Sequence, residues 1–550
     1  METSTGTSAP PILLEVAIVG SGPAGMACLK EISKQCPHLL MPIRGGGAEN
    51  ETQTANNGNS QGQIRSSSQQ QLVAVFEETS SLGGLWNRQQ QQRPNAPCYC
   101  HDSNSLSTND ESMKKTKKFL VETSSQPVYE NLITNLPKDL CSFSDYPYPS
   151  DWEFLLPATK VNEYYQNYFD IKHPHLKQYI HLNTRVEQCW KEDQQDDDSK
   201  SNVWTIQTTT TTTTTASNSE EQPPTQQQIW KAKRLVVCNG HFRKAYVPNI
   251  DGLRYYQGTL MHSSAFDTPK NPRFHEKTIL IVGGMASGSD IAGFLVKYGN
   301  CKRIIVSVRK SNQVSDLLLN RLRKMMEDNP NCPCSLVFRR GISHIDEAGF
   351  VHFVQDNDAQ EETVSSSLTE KPDIIIFCTG YRYYYPFLPT NEMKVLRFPE
   401  VDHSGYKMER LYKRILYLDD PTLALIGIPN LNLSPLLVIE YQSQWYVHMI
   451  LKKDQETFNR WITFNKDEME QEIESRKEDT TQDVLFKKVP SYCTSLARDI
   501  GVDGYWMQLL KRRIPLHIRS LWVRRHPIVY WISSIAATVV VIPVLSFLYR

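Results

Sequence analysis

One stretch near the start of the chain has the glycine spacing that binds a dinucleotide. In "VAIVGSGPAG", residues 16–25, a short β-branched run is followed by Gly20, Gly22 and Gly25, which match G-x-G-x-x-G. Such a turn joins a strand to a helix and brings backbone amides to a pyrophosphate. The chemistry that this spacing predicts is the binding of a nucleotide cofactor.

A second stretch repeats the pattern with one exception. In "ILIVGGMASGSD", residues 279–290, Gly283 and Gly288 keep the spacing, but Met285 stands where the middle glycine is expected. That glycine normally lets the backbone approach the phosphates closely. The sequence therefore predicts a second dinucleotide turn, with a side chain restricting the approach.

An acidic residue about 20 positions after the turn would hold the ribose hydroxyls. Glu77, at the end of "QLVAVFE", lies 52 residues after Gly25. Residues 41–71 are rich in Gly, Asn, Gln and Ser, a composition that cannot bury enough apolar surface to fold, so we predict a disordered loop there. Without these 31 residues the spacing becomes 21. Glu77 is thus predicted to be the ribose-binding carboxylate.

Residues 88–116 and 191–228 also have low-complexity composition, including a glutamine run and eight consecutive threonines. Both are predicted to be disordered surface loops. The formal net charge is zero, which gives no bulk electrostatic attraction to nucleic acid. The cysteines show no spacing typical of a zinc site, so no metal is predicted.

The motifs around the first turn resemble those of the flavin-containing monooxygenases. These motifs are "ETSSLGGLWN", "YENLITNLPKDLCSFSDYPYP", "YYQGTLMHSSAF", "IIIFCTGY" and "QSQW". The third is similar to the identifying sequence F-x-G-x-x-x-H-x-x-x-F/Y of that family, with Tyr256 in place of the first Phe and with Gly258, His262 and Phe266 matching. The resemblance covers most of residues 13 to about 450 outside the inserts.

This resemblance implies that FAD binds the first turn and NADPH the second. The implied FAD-binding residues are Gly20, Ser21, Gly22, Pro23, Ala24, Gly25, Glu77, Leu85, Trp86, Thr134, Thr379 and Gly380. The implied NADPH contacts at the second turn are Gly283, Ser287, Gly288, Ser289 and Asp290. We expect Met285 to loosen NADPH binding without preventing it.

The preference for NADPH over NADH is argued from the strand that follows the second turn. "RIIVSVRKS" ends with Arg309 and Lys310, where an NAD-specific site would have an acidic residue. Cations at this position favour the 2′-phosphate of NADPH.

The resemblance also implies the reaction. NADPH would reduce FAD, the reduced flavin would form a C4a-hydroperoxide with O2, and a soft nucleophilic nitrogen or sulfur of a small molecule would take one oxygen atom. Asn135, in the T-N motif, is the implied catalytic residue beside the flavin. His262 is expected to order the interdomain connection or the nucleotide rather than transfer protons. His241 is expected to be structural.

Three other functions remain open at this stage. A Baeyer–Villiger monooxygenase shares both turns, but its identifying motif usually ends in Trp-Pro, where this chain has Phe266-Asp267. An N-hydroxylase of amino acids or polyamines usually lacks a hydrophobic C-terminal tail. Met285 favours a third possibility, a flavoprotein that oxidises NADPH and releases H2O2.

The predicted architecture is α/β, with two Rossmann-like nucleotide-binding domains and a C-terminal transmembrane helix. The FAD domain is expected at 13–250 and 372–450, the inserted NADPH domain at 251–371, and a helical extension at 451–526. Residues 528–549 carry no charged side chain and are long enough to span a bilayer, with a hairpin lying in one leaflet as the alternative. The preceding basic residues favour an orientation in which the catalytic part faces the cytosol. We expect the membrane to be that of the endoplasmic reticulum. A homodimer is possible.

Overall fold

A computed structural model of the chain describes residues 12–41, 71–87, 98–99, 120–124, 127–191, 203–211, 225–309, 313–328, 334–355, 369–389, 396–397, 407–428, 435–476, 489–505 and 507–508. Within these residues no helix is long and apolar enough to cross a membrane. The predicted span at 528–549 and the end of the predicted extension, 509–526, lie outside the described residues.

The strands follow one another along the chain as β1 (Ile12–Val19), β2 (Val73–Phe76), β3 (Cys98–Tyr99), β4 (Leu120–Val121), β5 (Ile180–His181), β6 (Thr184–Lys191), β7 (Trp204–Thr211), β8 (Thr225–Val237), β9 (Lys244–Ala245), β10 (Thr259–His262), β11 (Thr278–Val282), β12 (Arg303–Val308), β13 (Ser335–Arg340), β14 (Ile342–Ile345), β15 (Val351–Phe353), β16 (Thr369–Glu370), β17 (Ile374–Phe377), β18 (Tyr381–Arg382), β19 (Leu396–Arg397), β20 (Lys407–Met408), β21 (Leu411–Tyr412), β22 (Leu416–Tyr417) and β23 (Leu423–Leu425).

The α-helices are α1 (Pro23–Gln35), α2 (Ala158–Asn167), α3 (Ala286–Tyr298), α4 (Gln313–Glu327), α5 (Pro435–Tyr446), α6 (Gln455–Glu474) and α7 (Val489–Ile500). Two π-helical turns, Tyr168–Lys172 and Val447–Leu451, continue α2 and α5. Helices α6 and α7 lie in the segment predicted to be a helical extension.

The first sheet is built around parallel strands in the order β23-β8-β1-β2-β5, with β21 and β22 antiparallel beyond β23. Strands β7 and β6 extend it through antiparallel pairing with the first half of β8. Buried side chains of α1, α5 and α7 form one core on this sheet, and those of β6, β7 and residues 383–388 form another. Val16–Val19 of β1 is buried throughout, as a strand in the middle of a parallel sheet requires.

The second sheet is entirely parallel, in the order β10-β17-β11-β12-β13. Helix α3 follows β11, and its apolar face packs against this sheet. A small antiparallel sheet, β14-β15-β16, lies beside it. The fold is therefore α/β with two Rossmann-like sheets, each carrying one of the two glycine turns at the carboxyl end of a strand.

The chain leaves the first sheet through β9 and returns through β18, and these two strands pair with each other in antiparallel orientation. The return comes later than predicted. Residues 374–377 were placed in the FAD domain, but they form β17, which pairs between β10 and β11 of the second sheet. The apolar run "IIIF" does not by itself indicate the sheet to which it belongs.

The prediction of a disordered loop at 191–228 was wrong in part. Trp204–Thr211 forms β7 and Thr225 begins β8, so four residues of the threonine run pair in the sheet. Threonine is β-branched and favours strands. The Thr208 side chain is fully buried, and its hydroxyl accepts a hydrogen bond from Trp230 Nε1 at 3.1 Å. The composition concealed a strand in which Trp204, Thr205, Ile206 and Thr208 are buried.

The two other predicted loops are largely undescribed. Of residues 41–71, only 41 and 71 belong to the described part of the chain. Within 88–116, Cys98–Tyr99 pairs with β4 as a short strand, which the prediction of a loop did not include. The remainder of both segments lies outside the described residues.

Candidate cofactor and oxygenation site

The three glycines of the first turn are required for different reasons. Gly20 has φ +98°, and a Cβ there would lie 2.8 Å from the carbonyl oxygen of Cys238. A Cβ on Gly25 would lie 2.0 Å from the carbonyl oxygen of Gly20, so this glycine allows α1 to pack against the turn. At Gly22 the nearest atom to a Cβ is the Gly84 Cα, at 3.7 Å. The protein leaves room for a side chain at Gly22, and only a bound ligand would require glycine there.

Helix α1 begins directly after this glycine, with Gly22 at its N-cap and Pro23 at its first position. Its own hydrogen bonding starts where the Met26 amide donates to the Gly22 carbonyl at 3.0 Å. The amides of Ala24 and Gly25 are therefore at positions that have no acceptor inside the helix. Such amides, together with the helix dipole, suit a pyrophosphate.

Glu77 lies immediately after β2, at the end of the strand next to β1, and is 5% exposed. Its Oε2 accepts hydrogen bonds from Ser21 N at 2.8 Å and Ser21 Oγ at 2.9 Å. Its Oε1 accepts from Thr79 N at 3.0 Å and Thr79 Oγ1 at 2.8 Å. The carboxylate thus holds the glycine turn to the next strand, at the position where a ribose would be bound.

Residues 83–86 form the opposite side of the same space. Gly83 and Gly84 both have positive φ, and a Cβ on Gly84 would lie 3.1 Å from the Gly22 Cα. Leu85 and Trp86 continue from them in a short 3₁₀ turn, and Trp86 packs against the first core. Two glycine segments therefore face each other without side chains, which leaves a cradle suited to the diphosphate of FAD.

Thr379 and Gly380 connect β17 to β18. The hydroxyl of Thr379 donates to the carbonyl of Tyr246, and the amide of Tyr246 donates to the carbonyl of Gly380 at 2.9 Å. His262, which is completely buried at the end of β10, donates from Nε2 to the same Gly380 carbonyl at 2.9 Å and accepts from Ser264 N at Nδ1 at 3.1 Å. These contacts suit the role of ordering the interdomain connection.

Both nitrogens of His262 have partners, and burial lowers its pKa to about 4. The ring is therefore neutral at physiological pH and has no nitrogen available for proton transfer. His241 follows β8 and differs, because neither of its buried ring nitrogens forms a hydrogen bond of good geometry with a described residue, although the Gly427 backbone lies close enough to oppose the fall of its pKa. Burial lowers the pKa of His241 to about 4 as well. An imidazole without a well-formed hydrogen bond at the carboxyl end of the first sheet fits a site that a bound group completes.

Asn135 is exposed at a bend of the chain, and its amide makes no hydrogen bond to the described residues. Thr134, next to it, is fixed on both sides: its amide donates to the Leu156 carbonyl at 2.8 Å, and its hydroxyl accepts from Leu156 N at 2.9 Å. The backbone that carries Asn135 is thus held in place while its side chain remains available.

Sequence reasoning missed Lys138, which stabilises this bend. Its side chain is buried, and its Nζ donates to the carbonyls of Pro149, Ser150 and Trp152 at 2.6, 3.0 and 2.7 Å. With these three carbonyl acceptors, the ammonium group holds residues 149–152 to the chain three positions after Asn135. The available signal was its position in the same T-N-x-P-K motif as Asn135.

The second turn repeats the geometry of the first. Gly283 has φ +110°, and a Cβ there would lie 2.5 Å from the carbonyl oxygen of Cys378. A Cβ on Gly288 would lie 1.9 Å from the carbonyl oxygen of Gly283. Gly284, which the sequence motif does not require, is limited by Val308, whose Cγ2 would be 2.7 Å from its Cβ. This turn is therefore built to the same plan around a parallel strand.

Met285 is the N-cap residue of α3, with φ −83° and ψ −164°, and its side chain is 47% exposed. Its backbone conformation is one that any residue adopts, so the turn has no strain from methionine. The side chain is half-exposed at the helix N-terminus, where the amides of Ala286, Ser287 and Gly288 have no acceptor inside the helix. A nucleotide at this turn must share that space with the thioether.

Ser289 and Asp290 differ from the prediction that they contact the nucleotide. The Ser289 amide donates to the Met285 carbonyl at 2.9 Å, and its hydroxyl donates to the Ala286 carbonyl at 3.1 Å. Asp290 Oδ2 accepts from the Tyr129 hydroxyl at 3.3 Å. Both side chains therefore have hydrogen-bond partners within the protein, Ser289 in its own helix and Asp290 at Tyr129.

Arg309 is exposed directly after β12, the strand beside β11, and its guanidinium has no partner among the described residues. This is the end of the strand where a ribose 2′-substituent would be read. Lys310 lies outside the described residues. The geometry therefore leaves one described cation available for a 2′-phosphate.

Comparison with known proteins gives a consistent picture. The chain matches the model of the flavin-binding monooxygenase-like family over residues 111–326 and 348–511. It is 25% identical over 390 residues to flavin-containing monooxygenase FMO GS-OX1 of Arabidopsis thaliana, covering 68% of this chain and 67% of the relative. It is 23% identical over 478 residues to flavin-containing monooxygenase 5 of Oryctolagus cuniculus, covering 78% and 72%.

Among solved structures, the fold is similar to S-allyl-L-cysteine S-oxygenase from Allium sativum, with a TM-score of 0.56 and 18% identity over 92% of this chain and 93% of that one. It is also similar to Tmm from Pelagibacter sp. strain HTCC7211, with a TM-score of 0.54 and 18% identity over 88% and 85%. These two likenesses concern the fold. The first glycine turn lies before the range matched by the family model, so the case for it rests on the geometry above.

Proposed function

Because the chain belongs to the flavin-binding monooxygenase-like family, we propose that it transfers one oxygen atom from O2 to a soft nitrogen or sulfur of a small molecule. As a member of this family it is an FAD-dependent monooxygenase that uses NADPH. The observation that carries the proposal is the pair of equivalent glycine turns, at Gly20 and Gly283, on two parallel sheets joined by the β9–β18 ribbon.

The residues of the chain have separable roles in this reaction. When bound, FAD accepts a hydride from NADPH and activates O2. The amides at the start of α1 and the Gly22–Gly84 cradle would hold its diphosphate, and Glu77 would bind its ribose. The amides at the start of α3 and Arg309 would hold NADPH. The Asn135 side chain would donate a hydrogen bond near the reacting oxygen, and Lys138 keeps its loop in position.

Little acid–base chemistry is required of the protein for such a transfer. His262 is neutral and fully hydrogen-bonded, so its contribution is to hold Gly380 and the returning strand β18. What the site must supply is exclusion of water, because the activated oxygen would be released as H2O2 when water and proton donors enter. Tight retention of the oxidised nucleotide over the flavin would serve this purpose.

Two observations support a heteroatom as the acceptor rather than a ketone. The motif that follows His262 ends in Phe266-Asp267, not in Trp-Pro. Phe266 is buried in the core between α3 and the second sheet, and the Asp267 carbonyl accepts from Glu130 N at 2.8 Å, so both residues serve packing and chain positioning. One structurally similar protein is an S-oxygenase by name. A second candidate, NADPH oxidation with H2O2 release, is favoured by the exposed thioether of Met285 at the second turn.

The function is tested with the purified flavin-loaded enzyme. NADPH oxidation, O2 consumption, H2O2 and oxygenated product are measured with methimazole, trimethylamine and a cyclic ketone. An S-oxide or N-oxide formed in proportion to NADPH supports the proposal. Lactone formation from the ketone alone would support the Baeyer–Villiger alternative. H2O2 equal to the NADPH consumed with every acceptor would support the oxidase alternative.

We also propose that residues 528–549 anchor the protein in the endoplasmic reticulum membrane with the catalytic part in the cytosol. The support is the run of 22 uncharged residues together with the basic residues that precede it: Lys511, Arg512, Arg513, Arg519, Arg524 and Arg525. Retention of the full chain in carbonate-washed microsomes, and its release when the chain ends at residue 526, is the expected result. Equal release of both forms would contradict the anchor.

A further inference from the structure

The segment 120–136, which the structure describes except at residues 125 and 126, contacts both parts of the site. Its first half docks on the second sheet: the Glu122 amide donates to the Leu260 carbonyl at 2.9 Å, and the Glu122 carbonyl accepts from His262 N at 2.8 Å. Its second half is fixed to the first domain through Thr134 and Leu156. Asn135 is therefore carried by a chain that is anchored at both nucleotide-binding units.

Tyr129 anchors this segment on α3. It is 4% exposed, and its ring makes edge-to-face contacts with Phe266 at 5.6 Å and Phe294 at 5.9 Å between centroids. Its hydroxyl donates to Asp290 Oδ2 at 3.3 Å. Both Phe294 and Asp290 belong to α3, the helix that begins at the second glycine turn. The ring contacts hold the segment against α3, and the hydrogen bond of the hydroxyl fixes the position of the segment along this helix.

Asp290 occupies an unusual position for an acidic residue. It lies one turn into α3, and burial raises the pKa of its carboxyl above the ordinary value. A buried carboxylate is costly unless it accepts hydrogen bonds. The Tyr129 hydroxyl donates one such hydrogen bond to Asp290. The same bond satisfies the hydroxyl, which is buried away from water. The charge of Arg321 also favours the ionised carboxylate, so the partly buried Asp290 has both a hydrogen-bond donor and a cation acting on it.

We propose that Asp290 is a positioning residue, which acts through the Tyr129 hydroxyl to set the Thr134–Asn135 bend relative to the nucleotide at α3. This inference rests on the proposed function, since it assigns Asn135 to the oxygen-transfer site. Asn135 comes six residues after Tyr129, with the Glu130 amide held by the Asp267 carbonyl between them. A movement of the start of α3 would thereby shift Asn135, the residue assigned to the oxygen-transfer site.

The test uses the flavin-loaded enzyme and the variants Tyr129→Phe, Asp290→Asn and Asp290→Leu. Tyr129→Phe keeps the ring and removes the hydrogen bond, and Asp290→Leu removes the acceptor. Both are expected to raise the ratio of H2O2 to oxygenated product about fivefold, the factor that corresponds to one ordinary hydrogen bond. Asp290→Asn keeps an oxygen acceptor and is expected to restore most of the coupling. The KM for NADPH should change little in all three.

A second readout is independent of activity. Hydrogen–deuterium exchange of the peptide 130–136 should be faster in Tyr129→Phe than in the wild type. Tyr298→Phe, an exposed tyrosine on the same helix, is the matched control and should change neither readout. Unchanged exchange in Tyr129→Phe would overturn the inference, and so would a raised KM for NADPH confined to the Asp290 variants, which would make Asp290 a nucleotide contact. Failure of the wild type to oxygenate any acceptor would instead contradict the proposed function.

Discussion

Gly283 packs directly on the carbonyl oxygen of Cys378, in the same way that Gly20 packs on the carbonyl oxygen of Cys238. In each case the cysteine follows a parallel strand adjacent to the strand that leads into the turn. The two turns are therefore supported by equivalent backbone in two different sheets. They differ at the middle position, where one has Gly22 and the other Met285.

The first prediction concerns FAD and uses Gly22→Ala. Gly22 has φ −68°, and its Cβ would find only the Gly84 Cα at 3.7 Å, so the folded protein accepts alanine. A bound diphosphate would lose that space, and FAD affinity should fall about tenfold or more, or about 1.4 kcal/mol. The ratio of flavin to protein absorbance and the Tm are measured together.

Gly25→Ala is the contrasting variant for this prediction, because its Cβ would meet the Gly20 carbonyl oxygen at 2.0 Å. It should lower the Tm even without flavin, whereas Gly22→Ala should lower the Tm only through loss of FAD. Gly22→Ala protein that retains the full flavin content during dialysis would contradict the placement of FAD.

The second prediction concerns nucleotide selectivity. Arg309→Ala should raise the KM for NADPH about tenfold, the contribution of one charge-assisted hydrogen bond, while the KM for NADH stays nearly unchanged. Lys302→Ala, an exposed lysine just before the other end of β12, is the control and should affect neither. Steady-state kinetics with both nucleotides provides the measurement. Equal losses for NADPH and NADH in Arg309→Ala would show that the cation does not read the 2′-phosphate.

The third prediction concerns the thioether at the second turn. Met285 is exposed and strain-free, so Met285→Gly creates no cavity, and glycine is also an acceptable N-cap residue. Removing the side chain should let the pyrophosphate approach α3 more closely and lengthen the residence of NADP+. We expect tighter NADP+ binding and less H2O2 per NADPH oxidised. Weaker binding with more H2O2 would show instead that the turn is adapted to methionine.

The fourth prediction concerns pH. The pKa of His262 is about 4 in the folded protein and 6.5 in its ordinary state, so below pH 6.5 the unfolded chain takes up a proton that the folded chain refuses. The free energy of unfolding is therefore not lowered by His262 above pH 6.5. It decreases as the pH falls from 6.5 toward 4. At pH 5.5 the loss is about 1 kcal/mol.

Thermal unfolding at pH 7.5 and 5.5 provides the measurement for this prediction. The Tm difference should be smaller in His262→Gln than in the wild type, although His241 contributes a similar dependence. The exposed His275→Gln is the control and should keep the wild-type difference. An unchanged pH dependence in His262→Gln would mean that His262 is not kept neutral by burial.

The sequence predicted the α/β class and the two turns because glycine spacing and apolar runs are local signals. Glu77 could be predicted once the polar insert was left out of the number of residues that separate it from Gly25. The contacts of Asp290 with Tyr129 could not be predicted, since they join residues 161 positions apart and depend on the rotation of α3. The strand at Trp204–Thr211 was missed because repetitive composition was taken as evidence of disorder, although threonine favours strands.

The pairing of β9 with β18 has a mechanical consequence. Two polypeptide strands, Lys244–Ala245 going out and Tyr381–Arg382 coming back, are hydrogen-bonded side by side where the chain passes between the two sheets. A single connecting strand can rotate about its backbone φ and ψ angles, but a two-stranded ribbon resists twisting and bends mainly in one plane. Any domain opening that admits substrate or releases NADP+ would therefore occur mainly by bending of this ribbon in one plane. Mutations at these four positions would change the rate of opening more than the affinity for either nucleotide.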